Sequence, residues 1–384
     1  MTTKKYPLFK VHVDVPSAME HIHSVLESGY LNEGETVTQL QAELSQHLGD
    51  GHNLVLMNSC TSALTVALKL AGVGHGDHVV TTPMTCVATN TPIKNLGAKI
   101  VWADIDPTTG TVYPEAIRQA ITEKTKAVMF VAWAGNPGEM DVIYDVCKQK
   151  GVKLIVDAAH AFGAKYDGEC LSKSADFVCY SFQAIKHITT GDGGALVCAS
   201  KKDLARAKCL KWFGLDRDAG KDAKGDWKGQ QWDVDIREAG YKFNMNNISA
   251  AIGLSQMRHV EKIIQTHRLN ATLYDEMFKT SRVQPIYRPV RSQSSNWVYT
   301  LLAPDSEDGT TRDDIVKSLN DDGIAAGLVH VPNDDYTCFL RNKTNLPGVR
   351  KFARRHFSIP CGWWLEESDV RFIAARVIHH YNRR

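Results

Sequence analysis

Apolar positions in this chain cluster in short unbroken runs, rather than alternating with polar ones. Runs at 53–57, 78–81, 100–103, 127–131, 154–156, 177–180 and 195–197 are rich in Val, Ile, Leu, Phe and Met. A strand apolar on both faces needs cover on both faces. Stretches with helical spacing at 61–70, 114–120 and 142–150 separate the runs. Strands alternating with helices predict an α/β fold with a mostly parallel seven-stranded sheet under helices. From Asn247, the positions Ala250, Ile252, Leu254 and Met257 predict one long helix to about Phe278. It leads to a smaller α+β region with a strand at 297–302 and helices at 311–321 and 368–381. The expected division is a large domain over 1–255 and a small one over 256–384.

In open parallel sheets, ligands gather at the carboxyl ends of the strands. Three groups of residues fall there. Lys186 follows the run ending at Ser181 and precedes the turn Thr189-Thr190-Gly191-Asp192-Gly193-Gly194. A lysine held against a core has a lowered pKa and can act as an amine nucleophile toward an aldehyde. Asp157 closes the run Leu154-Ile155-Val156. A buried carboxylate needs a cation or a donor, such as the protonated pyridine nitrogen of pyridoxal phosphate. Asn58-Ser59-Cys60-Thr61-Ser62 ends another run and opens a helix, which suits an anion such as a phosphate. Simple N-capping, a surface lysine and a satisfied buried carboxylate are the plainer readings of each group taken alone. Their combination in one chain order favours the cofactor.

The chain resembles the DegT/DnrJ/EryC1/StrS sugar aminotransferases, which have the fold type I (aspartate-aminotransferase-like) architecture. The resemblance runs from about Pro7 to the C-terminus. It rests on Ser59-Cys60-Thr61-Ser62-Ala63-Leu64, Gly97 to Pro107, Asp157-Ala158-Ala159-His160-Ala161-Phe162-Gly163, Ser181 to Gly194, and Gly240-Tyr241-Lys242-Phe243-Asn244-Met245. It implies that Lys186 carries pyridoxal 5′-phosphate as a Schiff base and that Asp157 contacts the ring nitrogen. It further implies that His160 lies beside the ring and its phenolic oxygen, and that Thr61, Ser62 and Ser181 hold the phosphate. Asn244 would reach that phosphate from a second copy, making a homodimer with shared sites. The implied donor is L-glutamate and the acceptor a keto- or aldehydo-sugar. Related dehydratases have His at the lysine position or grouped cysteines, and a regulator would need an added domain; this chain has none of these features.

Composition narrows the partners. The sequence has 45 Lys+Arg against 43 Asp+Glu, so no net field draws in nucleic acid or a membrane surface. Its 9 cysteines lack ligand spacing, which argues against structural zinc and for a reducing compartment. No apolar run reaches the roughly 20 residues of a membrane span, and Met1 to Lys10 lacks a signal-peptide core, so a soluble cytoplasmic enzyme is expected.

Departures from the family pattern bear on the acceptor. In Pro83-Met84-Thr85-Cys86, Cys86 stands where an aromatic usually stacks on the pyridine ring, leaving Trp133 or His160 to supply the packing. The stretch Gly327 to Tyr336 lacks Pro-Leu-His-x-x-Pro, and Gly362 replaces a usual His before Trp363 and Trp364. The polar segment 216–233, with Trp227 and Trp232, reads as a loop ordered at a dimer interface. The overall sequence looks most similar to the branch that aminates 8-oxo-3-deoxy-manno-octulosonate for lipopolysaccharide, which these differences fit, with Arg217, Arg237 or Lys242 as candidate carboxylate partners. A nucleotide-linked 4-keto-6-deoxy sugar is the alternative.

Overall fold

The computed structural model describes residues 5–48, 53–216, 235–306, 310–340 and 344–383. The N-terminal arm leads into α1 (Val15–Ser28), which Asp14 caps by accepting from Ser17 N, and then α2 (Glu35–His47). Next come β1 (Asn53–Met57), α3 (Cys60–Leu70), β2 (His78–Thr81), α4 (Val87–Asn95) and β3 (Lys99–Trp102). They are followed by α5 (Pro114–Ala120), β4 (Thr125–Val131), α6 (Met140–Lys150) and β5 (Lys153–Asp157). Short strands β6 (Lys165–Tyr166) and β7 (Glu169–Cys170) precede β8 (Phe177–Ser181), β9 (Gly194–Cys198) and α7 (Lys201–Leu210). The seven apolar runs all form strands, with ends shifted by no more than two residues.

Strand order in the main sheet is β1-β9-β8-β5-β4-β2-β3. β9 runs antiparallel to both neighbours, and the remaining adjacent pairs are parallel. The sheet is therefore mostly parallel, as the doubly apolar runs require. Its interior strands are wholly buried: Phe177 to Ser181 and Gly194 to Cys198 expose almost nothing. Burying each large side chain contributes about 1.5–3 kcal/mol. Met57, Val131, Asp157 and Ser181 end their strands on one edge. Gly194 begins β9 on that same edge, because β9 alone runs backwards.

Beyond the sheet, α8 (Asn247–Met257) and α9 (Val260–Phe278) are separate helices, contrary to the single helix expected from Asn247 to about Phe278. The break has a cause that periodicity does not reveal. His259 N turns back to Gln256 O (2.8 Å), and the Arg258 and His259 side chains both grip Asp14 at the start of α1. The rest comprises β10 (Gln284–Pro285), β11 (Ser292–Gln293), β12 (Tyr299–Leu302), α10 (Thr310–Asp321), α11 (Pro347–Arg355), β13 (His356–Ile359) and α12 (Glu367–Asn382). The expected strand at 297–302 starts two residues later, because Asn296 takes a positive φ of 49° and the Trp297 indole is held elsewhere.

Two apolar cores result. The larger surrounds the seven-stranded sheet, and the smaller joins α10 and α12 to the three-stranded sheet β10-β12-β13. They meet along α9: Val260 and Ile264 belong to the larger, Ala271, Tyr274 and Phe278 to the smaller. Tyr6 of the N-terminal arm also belongs to the smaller core, so the arm crosses from one to the other.

Candidate active site

The edge where β5, β8 and β1 end collects the polar groups singled out from the sequence. Asp157 is buried at 5% exposure. Thr89 Oγ1 donates to its Oδ2 (2.6 Å) and Ala159 N to its Oδ1 (3.1 Å). Burial raises the carboxyl pKa, while the Thr89 and Ala159 donors and the Lys186 charge oppose that rise. A carboxylate in this setting favours a further cationic partner.

Lys186 sits in the loop between β8 and β9, and neighbours hold that loop from several directions. Trp297 Nε1 donates to Ile185 O (2.8 Å), His187 Nε2 contacts Ser295 O (3.1 Å), and Thr189 N donates to Gln256 Oε1 (3.2 Å). The Lys186 Nζ lies 3.7 Å from the Trp297 ring centroid. Burial lowers its pKa from 10.5 to about 8, with Asp157 pulling the other way. The amine therefore holds an appreciable neutral fraction near neutral pH.

Ser59 caps α3, accepting from Ser62 N (3.1 Å), and the Ser62 hydroxyl donates to Asn58 Oδ1 (2.6 Å). Thr61 stands half-buried in the first turn, and the helix presents its positive end to this edge. Gly194 makes the approach possible. A Cβ there would lie 2.4 Å from Cys60 N, and Gly194 pairs with both Met57 and Ser181. The phosphate-cup residues and Ser181 are thus neighbours across one strand.

Asn244 also belongs to this end of the sheet. It bridges to Met57, donates to Asn32 Oδ1 (3.1 Å) and accepts from Lys242 Nζ (2.6 Å). Cys86, half-buried, sits at the N-cap of α4. Trp133 is edge-on to His160, with centroids 6.4 Å apart. Of the cations considered for a substrate carboxylate, Lys242 is engaged with Asn244 and Trp212, and Arg237 is exposed beside Asp235. Arg217 and the interface loop with Trp227 and Trp232 lie outside the described residues, apart from Asp216 at the loop's start.

Only one member of a second wall, His160, follows from the sequence. Phe9, Trp297, His160 and His330 form a column of rings. Centroid spacings are 4.8 Å, 4.1 Å and 5.2 Å, with interplanar angles of 21°, 21° and 13°. Thr89 was missed as well, although Thr85 and Thr89 at helical spacing next to Cys86 are a usable signal. Nothing in the local sequence marks Phe9, Trp297 or His330. At Gly362 a Cβ would come within 1.8 Å of the Trp364 ring, so that ring packs directly over the glycine.

Known proteins resemble this one along nearly its whole length. The model of the DegT/DnrJ/EryC1/StrS aminotransferase family matches residues 14–378. The dTDP-4-dehydro-2,3,6-trideoxy-D-glucose 4-aminotransferase of Saccharopolyspora spinosa is 30% identical, with 95% of each chain covered. Among solved structures, the sugar aminotransferase CalS13 of Micromonospora echinospora superposes with a TM-score of 0.89 at 32% identity, covering 97% of this chain and 99% of that one. The PMP form of Spr1654 from Streptococcus pneumoniae, described as a putative sugar aminotransferase, gives 0.87 at 25% identity, covering 98% of this chain and 99% of that one.

Proposed function

Since the chain belongs to the DegT/DnrJ/EryC1/StrS aminotransferase family and is a sugar aminotransferase that uses pyridoxal phosphate, we propose that Lys186 is the amine that carries the cofactor. The observation that supports this most is the gathering of the Lys186 loop, the Asp157 carboxylate and the start of α3 at one sheet edge. The residues suit the group. Asp157 is a buried carboxylate suited to a cationic ring nitrogen, and His160 has a buried Nδ1 without a partner. Thr61, Ser62 and Ser181 would hold the phosphate at the helix start. His160 and Cys86 would flank the ring.

Bound there, pyridoxal phosphate supplies the electron sink for the carbon that loses its proton. Asp157 keeps a proton on the ring nitrogen by offering it a fixed negative charge. Lys186, its pKa lowered by burial, would take the proton from the amino-bearing carbon of L-glutamate and return it on the far side of the nitrogen, two atoms along. It repeats these steps in reverse order with the sugar. Proton transfer by a positioned side chain contributes typically 10²–10⁴-fold. The aromatic column limits water at the amine.

A second copy completes the site in this reading, with Asn244 reaching the phosphate of the neighbouring chain. The outer face of α1 suits such an interface. Val15 and Met19 are each 60% exposed and Leu26 58%, an apolar stripe at helical spacing. The proposed compartment is the cytoplasm; no helix among the described residues is long and apolar enough to cross a membrane.

The proposed acceptor is 8-oxo-3-deoxy-manno-octulosonate, giving the 8-amino sugar for lipopolysaccharide. A free acidic sugar brings one carboxylate where a nucleotide sugar brings a diphosphate, so one cation suffices. Lys10, with Nζ 5.3 Å from the Trp363 ring centroid, stands on the wall where the family pattern departs. The name of the Saccharopolyspora relative favours the second reading, a nucleotide-linked 4-keto-6-deoxy sugar. The aminated form of the enzyme, mixed with each acceptor in turn, decides between them through the return of the cofactor's absorbance. Turnover of the dTDP- or GDP-linked sugar alone discards the octulosonate.

A further inference from the structure

His330 lies far from His160 in sequence, yet the fold brings the two imidazoles into ring-to-ring contact with Nε2 atoms 3.3 Å apart. The segment carrying His330 is fixed at both ends. Gly327 bridges to Ser358, Pro332 bridges to Met84, and Asn333 N donates to Pro83 O (2.8 Å). The His330 carbonyl also faces His356 Nε2 at 3.2 Å. Trp133 closes the side of the pair, edge-on to both rings. The contact is therefore a built one, not the chance meeting of two mobile side chains.

Two nitrogens at hydrogen-bond distance need one proton between them. If both carried one they would repel, and if neither did the contact would be lost. Burial, followed by the Lys186 charge, holds both imidazoles below the usual histidine range, His330 at about 3. Both are then neutral, and the tautomer of one dictates that of the other. The remaining nitrogen of His160, Nδ1, is buried and has no partner in the protein. The free nitrogen's character, donor or acceptor, follows from which Nε2 holds the shared proton.

We propose that His330 is a positioning residue for His160, holding its ring orientation and fixing its tautomer through a single proton shared between the two Nε2 atoms. This role rests on the reading of His160 as a residue beside the cofactor, but the shared proton itself does not. His330 touches neither the reacting carbon nor Lys186 in this account and acts only through its partner. It also gives a use to the stretch around Val329-His330-Val331, which departs from the family pattern.

The test begins with the apo protein, labelled with ¹⁵N-histidine, at neutral pH. The expected result is complementary tautomers: one of the two Nε2 nuclei protonated and the other bare, assigned with His160→Gln and His330→Phe. In His330→Phe, which keeps a flat ring in the column, His160 should lose its single tautomer and show an averaged one. In the loaded enzyme the same variant should lower kcat about tenfold with KM little changed, in the range seen when the outer partner of a functional histidine is removed. His330→Gln, whose amide can still donate or accept, should recover most of that loss. If the His160 signals are the same in wild type and His330→Phe, the proposal is overturned, whatever the activity. If the complementary pair is present but the wild type transfers no amino group, the pairing stands and the functional reading fails instead. Should His330→Phe melt much earlier than wild type, the comparison of wild type with His330→Gln decides: an altered His160 tautomer with unaltered kcat would overturn the role.

Discussion

The two walls of the site are built in different ways. The polar wall is assembled from strand ends and the turns next to them: Asp157 ends β5, Ser181 ends β8, and Ser59 to Ser62 follow β1. Each residue is placed by its own element, and the parallel sheet brings the elements together. The aromatic wall draws Phe9 from the N-terminal arm, His160 after β5, Trp297 before β12 and His330 from the last third of the chain. No single element places it; the packing of the arm and the smaller core against the sheet does. On the proposed reading, chemistry resides in the first wall, while access and orientation reside in the second. Substitutions in the two walls should therefore fail in different ways.

The largest expected effect is at Lys186. Lys186→Ala removes the amine proposed both to carry the cofactor and to move the proton. Turnover should fall by at least ~10³-fold, in line with the upper part of the range for general acid–base catalysis. The melting temperature should stay close to wild type, since an unpaired buried amine is not a stabilising group. Steady-state rates and a thermal melt check both parts, and substantial transaminase activity in the variant would remove Lys186 from its role. Asp157→Asn comes next. It replaces a fixed charge by a dipole and loses a charged hydrogen bond worth about 1.5–3 kcal/mol, hence on the order of 10²-fold in kcat. An equally fast Asp157→Asn enzyme would make the carboxylate a merely satisfied buried group held by Thr89 and Ala159.

The contrast also explains what could be read in advance. The seven strands were legible because doubly apolar runs have few other homes, and the gathering of Asp157, the Lys186 loop and the Ser59 to Ser62 turn at one sheet edge because all three follow strand ends. The break between α8 and α9 was not, because the apolar spacing continues through Arg258 and His259 while their side chains answer to Asp14. Trp297 passed for an ordinary strand residue. Its position depends on the turn at Asn296 and on a carbonyl, that of Ile185, more than a hundred residues away. His330 lies in the stretch Gly327 to Tyr336, whose departure from the family pattern says nothing of its contact with His160. Periodicity reports which face is buried; it does not report which distant ring covers it.

The depressed pKa of Lys186 gives a smaller, quantitative prediction. Its value falls from 10.5 to about 8, so the neutral amine fraction should rise about tenfold between pH 7 and pH 9 and then level off. The rate at which apo protein takes up pyridoxal phosphate, followed by absorbance, should trace that curve. An ordinary lysine would keep accelerating past pH 10, and that result would place Lys186 in solvent. Protonation of Lys186 favours the unfolded chain, because the folded value is the lower one. Its contribution to stability therefore grows as pH rises from about 8 towards 10.5.

The smallest expected effect tests whether the aromatic wall is more than filling. Trp297→Phe keeps a ring between Phe9 and His160 but removes the indole N–H that donates to Ile185 O at 2.8 Å. The loss of one buried hydrogen bond and some ring volume should lower stability by about 1–2 kcal/mol, a drop of roughly 1–2.5 °C in Tm for a chain of this length. The ring under the Lys186 Nζ, now 3.7 Å from the indole centroid, favours the charged amine, and a phenyl ring does so more weakly. The midpoint for cofactor uptake should accordingly stay at about 8 or fall slightly, because burial of the whole loop, not the indole alone, lowers the value. A midpoint that climbs back towards 10.5 would mean that this one side chain keeps water from the amine. The two walls would then share the chemistry, and the division drawn between them would not hold.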